Sequence, residues 1–223
     1  MVVMYAQLSK HLPLLMEGLR ETLYMVGVSV TFASLLGIPL GVLVVVTEKG
    51  HIFELRWLNL FLGWLVNVAR SVPFIILMIA IIPLTRAIVG TSIGTSAAIV
   101  PLTVSAIPFV ARIVETSLKE VDVGVIEAAQ AMGANRLQII LKVLIPEALP
   151  SLILGMTITT ISLVGYSAMA GAIGGGGLGD LAIRYGYQRF RGDIMLETVI
   201  LLVLLVQGIQ WMGNRLARRF NHK

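Results

Sequence analysis

Long apolar runs separated by short polar stretches dominate the chain. Residues 24–46 form the first run and carry no charged side chain. At 1.5 Å per residue they would make about 34 Å of helix, enough to cross the hydrocarbon core of a bilayer. Because the runs are continuous and do not alternate with polar residues, they favour helices over the strands of a membrane barrel. The pattern predicts an all-α membrane protein of one domain, residues 1–223, with five transmembrane helices at about residues 22–46, 57–84, 93–111, 148–170 and 194–213.

Glycine, proline and arginine interrupt the first two runs. Gly37 and Gly41 flank Pro39 and offer a small-residue face for close helix packing; the alternative is the ordinary tolerance of glycine and proline in membrane helices. Arg70 lies within the second run, three residues before Pro73, which removes a helix hydrogen bond and predicts a kink. A charge is costly in lipid, so Arg70 is predicted either to lie near a pathway or to snorkel toward the membrane surface.

Polar and glycine-rich segments mark where the predicted helices end. Arg112 follows the third apolar run and is predicted to end its helix. Glycine is conformationally permissive, so the glycine-rich stretch after the fourth run, residues 171–179, is predicted to be non-helical. Polar loops are predicted at residues 47–56, 85–92 and 180–193.

Composition supports a membrane protein. Of the 223 residues, 57% are hydrophobic and 13% are charged, whereas a soluble domain carries about 25% charged residues. The net charge of +5 does not indicate a nucleic-acid partner, because the basic residues cluster at span ends, where they set orientation. The absence of cysteine excludes disulfides and cysteine-based metal sites. Residues 1–13 lack a basic segment followed by an apolar one, so no cleavable signal peptide is expected.

The polar segment before the fourth run, residues 115–146, predicts two short helices joined by a glycine. Asp122 is suited to cap the first helix, and Gly133 suits the left-handed position after its end. Asn135 and Gln138 have the spacing of a capping box at the start of the second helix. Pro146 is predicted to limit continuation of that helix toward the fourth span.

The first of these helices is predicted to be amphipathic, with Val125, Ile126, Ala129 and Met132 on one apolar face. Small residues at 128 and 129 allow close approach, and Glu127 offers a charge-assisted contact. Such a helix fits a groove on a partner, or alternatively lies along a membrane surface.

The composite spacing of Glu127-Ala128-Ala129, Gly133 and Pro146 resembles the coupling motif of permease subunits of type I ABC importers. Val143 and Ile145 stand where the general pattern has Ile and Leu, and both changes are apolar. Four further segments make nearly the whole chain similar to the permease of the bacterial methionine importer: residues 70–77, 89–94, 163–169 and 175–179.

The resemblance implies a homodimer of five-span subunits with a cytoplasmic coupling helix in the inner membrane. It implies two ATP-binding subunits that bind ATP and Mg, an extracytoplasmic methionine-binding lipoprotein, and transport of L- and D-methionine. No cofactor or metal is expected in this chain. Its sequence has no Gly-x4-Gly-Lys-[Ser/Thr] motif, so ATP hydrolysis is expected in a separate subunit. The residues expected to couple to the ATPase are Glu127, Ala128, Ala129, Met132 and Gly133.

A cytoplasmic coupling loop and five spans place the N-terminus in the periplasm and the C-terminus in the cytoplasm. The distribution of lysine and arginine favours this orientation, although Arg184, Arg189 and Arg191 then lie on the outer side.

A gate is expected at the end of the fourth run. Tyr166 and Met169 lie just before the glycine-rich stretch and are suited to form an apolar plug, with Ser167 between them. Met169 equally suits an ordinary core, and hydroxyl groups in this run equally suit bonds to their own helix. The candidate pathway or gate residues are Tyr166, Ser167, Met169 and Arg70.

Three other functions stay open at this point. An intramembrane serine protease would use Ser167, but His11, His51 and His222 all lie outside the predicted spans. An ion-coupled secondary transporter would bury acidic or histidine side chains within its spans. An ABC permease for another amino acid would share the coupling motif.

Overall fold

The computed structural model describes residues 2–220, and the side chains of residues 11–220. Within these residues it consists of helices and turns and contains no strand. The helices of the described residues are α1 (Val2–Val46), α2 (Arg56–Ser71), α3 (Phe74–Ala80), α4 (Ile82–Val89), α5 (Thr95–Lys119), α6 (Val123–Ala131), α7 (Arg136–Ile139), α8 (Ile145–Gly171), α9 (Gly177–Leu181) and α10 (Gly192–Phe220). Two π-helical turns occupy Ile140–Leu144 and Ala182–Tyr187.

Four helical segments in the described part of the chain are long and apolar enough to cross a membrane, and a bent pair of helices is a candidate for a fifth span. The predicted fold class, an all-α membrane protein, is confirmed. The four segments are His11–Val46, Thr95–Lys119, Arg136–Gly171 and Gly192–Phe220, and the bent pair is Arg56–Ser71 with Phe74–Ala80.

The chain divides into two compact units, each assembled from three stretches of sequence. The first unit contains Met1–Thr31, Val72–Ser105 and Thr160–Ile209. The second unit contains Phe32–Ser71, Ala106–Thr159 and Gln210–Lys223. The last residues of the chain, 221–223, which include His222, lie outside the described residues.

A small apolar core in the first unit packs α1 against α9. Leu15, Leu178 and Leu181 are almost fully buried in this cluster. A Cβ added at Gly18 would lie 2.6 Å from Leu181 Cδ1, so the contact requires a residue without a side chain on α1. The glycine therefore allows α1 and α9 to approach closely.

The second unit uses the small-residue face of α1 in the same way. A Cβ at Gly37 would lie 2.7 Å from the Cβ of Val110, and one at Gly41 would lie 2.6 Å from the Cβ of Val114. The interpretation of Gly37 and Gly41 as a close-packing face is confirmed, and the partner is α5.

The predicted kink at Pro73 is confirmed as a complete break. α2 ends at Ser71, and Pro73 is the residue before α3, with φ −57° and ψ 137°. The predicted end of the third helix at Arg112 is wrong, because α5 continues to Lys119. Arg112 is accommodated on the helix surface, where its guanidinium donates to the Glu115 carboxylate at 2.8 Å.

Pro146 does not limit the helix that precedes it, which corrects the prediction. Helical structure continues from Arg136 to Gly171. The π-helical turn is the reason: the Ile145 N–H donates to the Ile140 carbonyl five residues back. The carbonyl groups before Pro146 are thereby displaced from the α-helical positions that the proline ring would meet.

Two predicted loops, residues 85–92 and 180–193, are helical over part of their length. Residues 85–89 belong to α4, because the Thr85 hydroxyl donates to the Ile81 carbonyl and Gly90 ends the helix at φ +82°. Residues 180–187 are helical in α9 and the second π turn, where an Asp180–Arg184 ion pair at 2.6 Å supports the turn.

The glycine-rich stretch is only partly non-helical. Residues 172–176 form a turn, as predicted, but Gly177–Leu181 is helical. The reason lies in α1: the Glu21 carboxylate accepts the N–H of Gly177 at 2.7 Å, and the Thr22 hydroxyl accepts the N–H of Leu178 at 2.9 Å. These bonds satisfy the first donors of α9.

Candidate functional site

The polar segment between α5 and α8 has the local structure that its sequence predicts. Asp122 caps α6, and its carboxylate accepts the N–H of Gly124 at 2.6 Å. Gly133 follows the end of α6 with φ +80°, and the next N–H, from Ala134, donates to the Ala129 carbonyl at 3.1 Å. The short helix therefore begins with a side-chain cap and ends at a left-handed glycine.

The second short helix begins with the predicted capping box. The Gln138 N–H donates to the Asn135 side chain, and the Asn135 N–H donates to the Gln138 side chain, both at 2.9 Å. This reciprocal pair fixes the start of α7. Residues 122–139, which include the residues predicted to couple to an ATPase, are named the coupling segment.

Most side chains of the coupling segment are exposed. Ala129 is 3% exposed and faces its own chain, whereas Met132 is 82% exposed. Glu127 and Ala128 are exposed as well. The residues of the predicted apolar face differ in burial, because Ala129 is buried whereas Val125 and Met132 are exposed. Exposed apolar side chains therefore lie on the same short segment as the exposed Glu127.

The candidate gate residues on α8 take three different environments in the first unit. The Tyr166 ring stacks on Phe74, with centroids 4.7 Å apart and planes inclined by 3°. Ser167 is buried, and its hydroxyl donates to the Val164 carbonyl at 2.7 Å. Met169 is 47% exposed. The structure pairs Tyr166 with α3, directs Ser167 into its own helix, and leaves Met169 uncovered by the chain.

Phe74 was missed as a candidate residue. It follows Pro73 at the start of α3 and is buried. Its place in the segment that resembles the methionine permease was visible in the sequence, but its partner on α8 was not.

Arg70 belongs to the second unit. It lies in the last turn of α2, is exposed, and places its guanidinium 5.1 Å from the centroid of the Phe109 ring. A cation over an aromatic face at the C-terminal end of a helix is doubly stabilised, by the ring and by the helix dipole.

The glycine-rich turn borders a polar cavity in the first unit. The cavity has a volume of about 430 Å³. Three carboxylate side chains and one guanidinium line it alongside glycines of the turn: Glu17, Glu21, Asp180 and Arg184. Glu21 and Thr22, which hold the start of α9, were missed in the sequence because their partners lie 156 residues away.

The geometry around Ser167 does not resemble a nucleophile with its base. His11 Nδ1 lies 2.9 Å from a Glu197 carboxylate oxygen, and its Nε2 lies 2.9 Å from the Arg191 guanidinium. Threonines of the same helix behave as Ser167 does: Thr157 and Thr159 donate to carbonyls four residues earlier at 2.7 and 3.0 Å. These hydroxyl groups are used within their own helix.

The apolar helices and the capped polar segment between α5 and α8 are the features that the sequence predicts for an ABC permease. The chain belongs to the family described as the binding-protein-dependent transport system inner membrane component, which matches residues 24–222. It is therefore a multi-pass inner-membrane permease of the ABC transporter class.

Relatives refine this assignment. The probable D-methionine transport system permease protein MetI of Vibrio cholerae is 57% identical and covers 94% of this chain and 93% of its own length. A protein of the same description from Pasteurella multocida is 51% identical over 91% of this chain and 94% of its length. A crystal form of the inward-facing MetNI methionine ABC transporter matches with a TM-score of 0.93 and 51% identity, over 96% of this chain and 99% of that one. The resemblance inferred from the sequence motifs is confirmed.

Proposed function

We propose that this chain is the membrane-spanning subunit of an ATP-driven importer that carries methionine into the cytoplasm. The observation that supports this most is the match over nearly the whole chain to a methionine ABC transporter, at a TM-score of 0.93. The long apolar helices support a role within the membrane. The proposal that the substrate is methionine is supported by the relatives.

The proposed assembly is a single five-span domain paired with a second copy of itself. Two ATP-binding subunits supply ATP and Mg, and an extracytoplasmic methionine-binding lipoprotein delivers the substrate. Five helices are few to enclose a gated path, and a symmetric pair is the commonest way to complete one. The N-terminus is proposed to face the periplasm and the C-terminus the cytoplasm.

The coupling segment is the proposed contact with the ATPase. Met132 supplies exposed apolar surface, Ala128 permits close approach, and Glu127 supplies a charge. Ala129 anchors the helix to its own chain, and Gly133 sets the direction in which the chain leaves it. A short helix held in this way fits into a groove on a partner and moves with it.

Transport is proposed to follow alternating access. Nucleotide binding would bring the two ATPases together and displace the coupling segments, and the spans would open outward; hydrolysis would reset them. Tyr166, Ser167, Met169 and Arg70 are the proposed pathway or gate residues. The Tyr166 ring stacks on Phe74 and the Met169 side chain is exposed, whereas the Ser167 hydroxyl donates to a carbonyl of its own helix.

L-methionine and D-methionine are both proposed substrates. A binding protein selects the substrate of such importers, so a permease for another amino acid is the alternative.

Uptake by the reconstituted complex tests the proposal. The chain is co-expressed with the ATP-binding subunit and binding protein from its own organism, and labelled L-methionine uptake into proteoliposomes is measured with and without ATP. Uptake that requires ATP and is competed by D-methionine but not by other amino acids supports the proposal. Competition by another amino acid would change the substrate, and uptake driven by a proton gradient without ATP would favour a secondary transporter.

A charge reversal tests the contact itself. Glu127→Lys should reduce co-purification of the ATPase, because it reverses a charge at the proposed interface. Glu120→Lys is the matched control, since Glu120 is also exposed but lies before the N-cap of α6. Normal assembly of Glu127→Lys would place the segment on lipid instead.

A further inference from the structure

The loop between α1 and α2, residues 47–55, is held rigidly by its own hydrogen bonds. The Phe53 N–H donates to the Val46 carbonyl at 2.8 Å, and the Leu55 N–H donates to the Thr47 carbonyl at 3.1 Å. The Asn59 side chain on α2 donates to the Val44 carbonyl on α1 at 2.6 Å. The loop therefore joins the end of α1 to the start of α2 as one stiff connection.

This loop makes an ionic contact with the chain just before the coupling segment. The Lys119 ammonium, at the end of α5, lies 2.9 Å from the Glu48 carboxylate and 3.1 Å from the Glu115 carboxylate. The Glu115 side chain is only 10% exposed, and Arg112 provides its second cation at 2.8 Å. A nearly buried carboxylate needs such partners, so Lys119 is held in place and Glu48 joins a fixed network.

The same loop makes an aromatic contact with the chain just after α6. The Arg136 guanidinium lies 5.0 Å from the centroid of the Phe53 ring, a cation–π distance. Arg136 is the first residue of α7 and directly follows its capping residue, Asn135. The loop thus touches the chain on both sides of α6, through Glu48 on one side and Phe53 on the other.

We propose that the 47–55 loop is a clamp that fixes the chain on both sides of α6 to α1 and α2, with Glu48 and Phe53 as positioning residues. The inference rests on the proposed function of the coupling segment and adds the element that receives its movement. Non-helical backbone lies at both ends of α6, at Asp122 and at Gly133. Without the clamp, a push on α6 would bend the chain at these two positions.

With the clamp, a push on α6 displaces the loop and the attached ends of α1 and α2. Each contact alone is modest, because the ion pair is half exposed and the cation–π contact lies near the surface. One contact holds the chain before α6 and the other holds the chain after it, so losing both should weaken transmission more than losing either.

Transport efficiency in proteoliposomes tests the clamp. The complete complex is prepared with the wild-type chain and with Glu48→Gln, Phe53→Leu and the double variant. Lys49→Gln is the matched control, because Lys49 is exposed and adjacent in the same loop. The readouts are co-purification of the ATPase and the number of methionine molecules imported per ATP hydrolysed.

The single variants should lower this ratio about two- to threefold and the double variant up to about tenfold, with co-purification unchanged. Phe53→Trp should retain the wild-type ratio, because tryptophan is the strongest cation–π partner. Raising the salt concentration should lower the ratio in Phe53→Leu more than in Glu48→Gln, because only the former still depends on the ion pair.

An unchanged ratio in the double variant would overturn the clamp. A loss of co-purification parallel to the loss of transport would also overturn it, because the loop would then act in assembly. Failure of the proposed function is distinct from both: the wild-type complex itself would show no ATP-driven methionine uptake.

Discussion

The coupling segment and the glycine-rich stretch, residues 171–179, both contain left-handed glycines, but they use them differently. Gly133 has φ +80°, and a Cβ built there would meet no atom within 4 Å. Gly177 has the same φ, yet a Cβ there would lie 2.7 Å from the Thr22 hydroxyl and 2.8 Å from Met25 Cε. The first glycine is required by backbone conformation alone, whereas the second is required by conformation and by packing.

Their hydrogen bonds differ in the same way. The caps of the coupling segment join residues two or three apart, at Asp122 and at the Asn135–Gln138 pair. The start of α9, in the glycine-rich stretch, is held by Glu21 and Thr22, which lie 156 residues earlier in the chain. A segment with local bonds can keep its own shape when the rest of the chain moves, whereas a segment with long-range bonds is fixed to another helix.

The largest effect is expected where a side chain is added to a glycine that packs against another helix. In Gly179→Ala the new Cβ would lie 2.6 Å from the Ala168 carbonyl oxygen, so the backbones of α8 and α9 must separate. Overpacking of this kind costs about 1–3 kcal/mol. We expect a lower yield and a lower Tm of the detergent-solubilised chain.

Gly165→Ala is the matched control for this variant. Gly165 lies on α8, and a Cβ there would meet no atom within 4 Å. Its Tm should be unchanged or slightly higher, because alanine favours helix more than glycine. Equal Tm values for the two variants would mean that close packing at Gly179 does not contribute to stability.

A smaller effect on stability, with a large effect on transport, is expected at Gly133. Valine fits φ > 0 badly, and a Cβ at Gly133 would meet no atom within 4 Å, so in Gly133→Val the exposed chain after α6 should turn in a new direction instead of keeping a strained conformation. ATPase co-purification or methionine uptake should fall while the Tm of the chain changes little. Gly133→Asn should retain both, since asparagine tolerates this conformation. Unchanged uptake in Gly133→Val would show that the coupling segment is not a lever.

The contrast also explains what could be predicted from the sequence. The cap at Asp122, the left-handed Gly133 and the Asn135–Gln138 capping box were all predicted correctly, because each depends on residues within three positions. The long apolar runs likewise predicted the helices, since a bilayer demands nearly continuous hydrophobicity.

Features that depend on distant residues could not be predicted. The helix at Gly177 forms because α1 supplies its cap, and the stacking of Tyr166 on Phe74 requires α3 and α8 to meet. Pro146 was misjudged for another reason: the π turn that accommodates it is a rare alternative to a break, and the local sequence predicts the break more often.

A variant of Glu21 tests whether its long-range hydrogen bond to Gly177 stabilises the chain. Glu21→Gln replaces a charge-assisted acceptor by a neutral one and should lower stability by about 1 kcal/mol, seen as a lower Tm. Glu17→Gln is the control, because Glu17 lines the same cavity but is exposed. Equal Tm values would mean that packing of the glycines, and not the Glu21 bond, holds the turn.

The smallest effect concerns His51, in the loop that contacts the coupling segment. Burial is the main cause that lowers the pKa of His51 below its ordinary value of 6.5, and Lys119 lowers it further, while Glu48 opposes them. Because the folded protein binds this proton less readily than the unfolded chain, the neutral ring contributes its full stability above about pH 6.5 and loses it as the pH falls.

The ring is only partly buried, so the loss should be under about 1 kcal/mol. The Tm of the solubilised chain should therefore fall slightly more between pH 7.5 and pH 5.5 in the wild type than in His51→Gln. An equal fall in Tm in the two proteins would mean that protonation of His51 does not destabilise the loop. The hydrogen bonds of the loop would then hold it whether His51 is neutral or charged.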